Sequence, residues 1–128
     1  MHQEVKVRGD LKEGYLVENS MRAHVILADQ PISADGSDVA PTPTEMLLSS
    51  LISCKLITIR MYATHKNWDL KNASIELKMA GSSEKTAIHK TIEFEGKLSK
   101  EQKNRLITVS ERCPLARMLK NSIEFNSL

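Results

Sequence analysis

An α+β fold is what this sequence predicts, and three observations predict it. Segments in the first third of the chain, and again after Trp68, alternate apolar and polar residues with a period of two, the mark of half-buried strands. Between them "PTPTEMLLSSLISCKLITIRMYATHKNW", residues 41 to 68, reads as one long helix. Strand and helix patterns cluster instead of alternating strictly, which argues against a doubly wound parallel sheet. With 128 residues and neither a linker nor a repeat to divide it, the chain is expected to form one domain over residues 1–128.

The first strands follow from simple alternation. Val5 and Val7 sit between charged neighbours, Tyr15 and Val17 repeat the pattern, and "MRAHVILAD" sets Met21, Ala23, Val25 and Leu27 on one face. Gly9-Asp10 and Asn19-Ser20 are expected to be the turns. The stretch "DQPISADGSDVAPTP" that follows is longer than a plain connection and is expected to border a site.

The long helix announces its start. Thr42 supplies a capping hydroxyl, Pro43 fits the first helical position and Glu45 completes a capping box. From Met46 to Ala63 the apolar residues cover far more than one stripe, as expected for a helix buried on several sides, so a second chain packing on it is expected. Ala73, Ile75, Leu77 and Met79 then restore the period of two, and Ile88, Ile92 and Phe94 do so more loosely, with a turn around Gly81, Ser82 and Ser83. A second capping box, Ser99 to Gln102, opens a helix that carries Leu106, Val109 and Cys113 on one face. Pro114 ends that helix and starts a short one, "PLARMLKN", after which "SIEFN" is expected to close the fold as a strand through Ile123 and Phe125.

Composition narrows the function. Lys plus Arg number 18 against 16 Asp plus Glu, a balance that gives nucleic acid or an anionic membrane no strong field to feel. Aromatic residues are too scarce for a base-stacking surface. No apolar run at the amino terminus suits a secretory signal, and Lys55 and Arg60 interrupt the long helix as a membrane span. A cytoplasmic protein with a small, nearly neutral partner is expected.

Most catalytic constellations are missing. His65 follows Cys54 by eleven residues on nearly the same helix face, but the rise separates them by roughly 16 Å. His2, His24 and His89 pair locally with neither cysteine, no residue cluster has metal-ligand spacing, and the five glycines match no phosphate loop. Two thiols remain, Cys54 and Cys113, too few for a disulfide framework and wrongly spaced for a Cys-x-x-Cys motif. Both could simply be small core hydrophobes, since free cysteine is commonly buried. Against that, Cys54 lies between Ser53 and Lys55, and Cys113 stands between Arg112 and Pro114 at a helix start, a setting that lowers a thiol's pKa. Local chemistry alone favours Cys113 as the reactive thiol.

"PTPTEMLLSSLISC" and "ERCPLARML" together resemble the OsmC/Ohr family of osmotically inducible and organic-hydroperoxide-resistance proteins, and the likeness extends over essentially the whole chain. The family has a Pro-rich lead-in and a Glu ahead of a long helix bearing its first cysteine, then a Cys-Pro pair near the carboxyl end. The resemblance implies an intertwined α+β homodimer, antiparallel sheets around long central helices, and two active sites at the subunit interface. It also implies a thiol peroxidase in which Cys54 attacks an organic hydroperoxide, becomes a sulfenic acid and is resolved by Cys113 as a disulfide. No bound cofactor is implied; an external dithiol, a lipoyl-protein or small thiol, would restore the enzyme.

The chain departs from the hydroperoxidase pattern twice. Glu13 stands where those members carry an activating Arg, which leaves Arg8, Lys12 or Arg22 as substitutes, with Arg22 placed on the strand "MRAHVILAD". Thr44 follows the helix-start proline, and the carboxylate comes one place later, at Glu45. Glu45 lies nine residues before Cys54, on roughly the opposite helix face. The candidate catalytic set is therefore Cys54, Cys113, Glu45 and Arg22. A second expectation keeps the fold without the catalysis and makes the interface cleft a site for a small apolar or electrophilic ligand.

Overall fold

The computed structural model describes residues 4–82 and 84–127. Its contacts divide the chain into two compact units, residues 1–47 and 48–128. The elements are β1 (Arg8–Leu11), β2 (Val17–Met21), β3 (His24–Ala28), α1 (Pro43–Lys66), β4 (Asp69–Gly81), β5 (Thr86–Lys97), α2 (Lys100–Ser110) and α3 (Pro114–Lys120), with a 3-10 turn at Ile32–Ala34. The fold is α+β, with antiparallel strand pairing throughout both sheets.

In the first unit β1, β2 and β3 form a meander. The turns expected at Gly9-Asp10 and Asn19-Ser20 lie inside strands instead, where Gly9 pairs with Asn19 and Asp10 with Glu18. A Cβ at Gly9 would come 2.9 Å from Asn19 Oδ1, so close cross-strand approach explains this glycine better than a turn does. The actual reversals are at residues 12–16, where Gly14 has φ +64°, and at Arg22-Ala23. Val5 and Val7 precede β1 and belong to no strand. Val25, Ile26 and Leu27 of β3 are all exposed, so the alternation there reports no face buried within the chain.

The long loop after β3 is internally held. Asp29, 2% exposed, accepts hydrogen bonds from the Gln30 and Val39 amides at 2.7 and 3.2 Å, while its own amide donates to the Pro41 carbonyl at 3.0 Å. A Cβ at Gly36 would lie 2.0 Å from the Gln30 carbonyl oxygen, so the fold of this loop requires glycine there.

In the second unit α1 packs on the β4–β5 hairpin and α2 through one apolar cluster, and on β4 and α3 through another. Its buried residues are Leu51, Lys55, Ile59 and Ala63, a stripe at four-residue spacing. The expected burial on several sides is not found within the single chain: Leu47, Ile57 and Met61 stay exposed. The helix stops in a Schellman turn, with Asn67 at φ 61°, its amide donating to Thr64 O and the Trp68 amide to Ala63 O. Ile59, Ala63, Leu70 and Leu106 form one cluster, and burying each large aliphatic side chain there is worth about 1.5–3 kcal/mol.

β4 and β5 are longer than their alternation suggests, because pairing continues from Asp69↔Lys97 to Gly81↔Thr86 around a bulge between Leu70 and Asn72. Arg60 donates to the Leu70 and Lys71 carbonyls at 2.7 and 3.2 Å, satisfying acceptors that the bulge leaves unpaired. Ser82 and Lys85 close the hairpin through reciprocal backbone hydrogen bonds; Ser83, expected in this turn, lies outside the described residues, as does His2. The Ser99–Gln102 capping box of α2 is fully formed. The closing strand expected through Ile123 and Phe125 is not present: residues 122–127 have no strand partner and Phe125 is 91% exposed. Alternation over so few residues cannot supply the neighbour that a strand needs.

Candidate active site

Two thiols far apart in sequence meet in the second unit. Cys113 is fully buried with Leu51 and Ala116, and Cys54 packs against the same cluster with Leu48, Leu77 and Leu115. Each gets there for a local reason. Cys54 lies three residues after Leu51 on α1, beside the buried stripe, so its side chain is only partly covered. Cys113 is delivered by the end of α2 and is the N-cap residue of α3, where its sulfur accepts a hydrogen bond from the Ala116 amide at 3.4 Å. Pro114 at the first position of α3 needs no such partner.

The thiols are free and pack in the same cluster. Burial pushes the Cys54 pKa above its ordinary value; a backbone hydrogen bond from Leu115 lowers it, the hydrogen bond and charge of Cys113 raise it, and Lys55 lowers it least. The cation expected to offset burial of this thiol is therefore adjacent in sequence but weak in effect. Lys55 turns its ammonium elsewhere, donating to Ser110 O at 3.3 Å and standing 3.7 Å from Glu111 Oε2. Glu111 also pairs with Lys90. What the arrangement offers is two free thiols on one cluster, Cys113 fully buried and Cys54 partly covered with its pKa raised by burial.

Glu45 and Arg22 belong to the first unit. Glu45 Oε1 accepts the Thr42 amide at 2.9 Å and its own amide donates to Thr42 Oγ1 at 3.2 Å, so its carboxylate is engaged in capping α1. Arg22 is not on a strand face. It occupies the β2–β3 turn at φ 52°, because Met21 already pairs with His24 and two residues must reverse the chain. Of the other substitutes, Arg8 is paired with Asp10 at 3.3 Å. Sequence reasoning did not name Lys55 as a site residue; it appeared there as a charge interrupting an apolar helix and as a polar neighbour of Cys54. The available signal was its place four residues from both Leu51 and Ile59, on the buried stripe itself.

Residues 34–127 match the family model for OsmC-like proteins. No curated protein sequence matches the chain. Among solved structures it is similar to an OsmC-like protein of Mycoplasma pneumoniae, with 20% identity, TM-score 0.79 and coverage of 94% of this chain and 90% of that one. A Psychrobacter arcticus protein named for an osmotic stress induced and detoxification response gives 20% identity, TM-score 0.79 and coverage of 92% and 90%. An organic hydroperoxide resistance protein OsmC of Legionella pneumophila gives 16% identity, TM-score 0.68 and coverage of 93% and 90%. At these identities the likeness establishes a shared fold.

Proposed function

This chain belongs to the family of OsmC-like proteins, and we propose that it is a cytoplasmic, homodimeric thiol peroxidase that reduces organic hydroperoxides. One observation carries the reading: Cys54 and Cys113, 59 positions apart in the sequence, pack in one cluster. In the first step Cys54, as thiolate, attacks the terminal oxygen of the hydroperoxide. The O–O bond breaks, the alkoxide takes a proton and leaves as the alcohol, and Cys54 becomes a sulfenic acid. Cys113 then attacks the Cys54 sulfur, the S–S bond forms and water departs. Two thiols are oxidised and one hydroperoxide is reduced. An external dithiol, such as a lipoyl-protein, or a small thiol returns the disulfide to the starting state.

The expected partner subunit suits the helix. Ile57 and Met61 are 59% and 67% exposed, one turn apart on α1, and a second copy would cover them. Glu45 and Arg22 are proposed as the activating charges that family members place near the thiol. Gln at position 45 keeps an oxygen for the cap while removing the charge, so E45Q separates the two roles. A tenfold slower peroxide consumption with an unchanged melting temperature is expected for E45Q, and a similar slowing for R22Q.

The test of the main reading is direct. Reduced protein treated with cumene hydroperoxide should lose two thiols per chain, with stoichiometric formation of the alcohol. Failure to lose them, or unchanged turnover in Cys54→Ser, sinks the proposal. A second reading, a ligand-binding protein with weak catalysis, is favoured by the raised pKa of Cys54 and the engaged carboxylate of Glu45. It predicts negligible peroxide consumption with a ligand-dependent rise in melting temperature.

A further inference from the structure

A cavity of about 430 Å³ opens beside the thiol cluster, bounded by α1, the β4–β5 hairpin and α3. Its volume falls within the roughly 300–1,000 Å³ common for small-molecule sites. Leu51, Leu77 and Ala116 line it and also pack in the thiol cluster, so one apolar wall serves both. The polar side is different in kind. Lys55, Lys90 and Lys120 all line the cavity, and Glu111 is the single carboxylate among the lining residues.

This charge balance is uneven. Glu111 contacts both Lys55 and Lys90, so one negative charge is divided between two ammonium groups, and Lys120 adds a third. Lys55 is buried, and a buried ammonium is costly unless it is paired. Although Glu111 is its ion-pair partner, Lys90 has its pKa pushed down, by burial first and then by Lys55 and Lys120. Three cations against one anion leave a local surplus of two positive charges facing an apolar wall.

We propose that this cavity binds a small amphiphilic anion, an aliphatic carboxylate whose head is held by Lys90 and Lys120 and whose chain lies along Leu51, Leu77 and Ala116. The carboxylate would offset charge that Glu111 leaves uncompensated, and the aliphatic body would replace water on the apolar wall. The site stands independently of peroxidase activity, since it uses neither thiol. It gives Glu111 a definite part as the internal competitor for the ligand's head group.

Calorimetric titration of the reduced full chain with octanoate tests this, with 1-octanol and inorganic phosphate as the neutral and the body-free controls. Octanoate should bind saturably and both controls at least tenfold more weakly. In the double variant Lys90→Gln, Lys120→Gln octanoate affinity should fall at least tenfold, and in Glu111→Gln it should rise. Octanol or phosphate binding as tightly as octanoate overturns the proposal in the unaltered protein, whatever the variants do. Absence of octanoate binding, full affinity in the double lysine variant, or no gain in Glu111→Gln overturns it as well.

Discussion

The two ends of the α1 stripe face different interiors. Toward its carboxyl end Ile59 and Ala63 meet Leu70 and Leu106, an apolar cluster joined by Trp68, Phe94 and other half-buried hydrophobes. Toward its amino end Leu51 and Lys55 meet Cys113, Ala116, Cys54 and a cavity ringed by lysines. The helical geometry is the same at both ends, and only the chemistry of every fourth residue differs. The lesson is one of division of labour: one end is an apolar cluster, while the other holds two free thiols and a buried ammonium.

That contrast can be broken from either side. The largest effect is expected at the thiol end, where Cys54→Ser should abolish hydroperoxide-dependent thiol loss while the melting temperature stays within a few degrees of the unaltered protein. A large loss of stability there would mean that the thiol cluster is structural after all. At the apolar end Leu106→Ala should cost about 2–5 kcal/mol by urea unfolding, because Leu106 is fully buried and its removal leaves a cavity. A cost below about 1 kcal/mol would contradict the assignment of cohesion to this cluster.

Lys55→Met sharpens the comparison further by making the stripe apolar along its whole length. A change within about 1 kcal/mol, or a gain in stability, is expected, since a buried ion pair often contributes no more than a well-packed hydrophobe. The smallest effect is a pH dependence. Because folding raises the Cys54 pKa, the unfolded chain releases its thiol proton first as pH rises. The stability contributed is therefore complete below the ordinary thiol value, about 8.5, and is lost as pH climbs through the raised folded value. Melting curves from pH 7 to 10 should decline more steeply for the unaltered protein than for Cys54→Ser. Iodoacetamide labelling of Cys54 should accelerate over the same interval, and a plateau already reached at pH 7 would show the thiol to be ionised there.

Local signals in the sequence determined α1 and both capping boxes, because a cap hydroxyl, a proline and a carboxylate act over one turn and need no distant partner. The alternation after Trp68 located β4 and β5, and the three-and-four spacing from Leu106 pointed Cys113 inward. Turns were less legible: Gly9 and Asn19 are residue types common in turns, yet here they face each other across paired strands. Lys55 was the clearest loss, since nothing adjacent in the chain announces that Ser110 and Glu111 wait to receive its ammonium.

Only the tertiary structure brought Cys54 and Cys113 into one cluster and placed three lysines and one glutamate around one cavity. Both arrangements join residues from separate helices and strands, and the work of bringing them together is done by apolar packing of whole elements. Such packing is not encoded at any one position. The sequence by itself therefore specified which chemical groups this protein has, and the packing decided which of them meet.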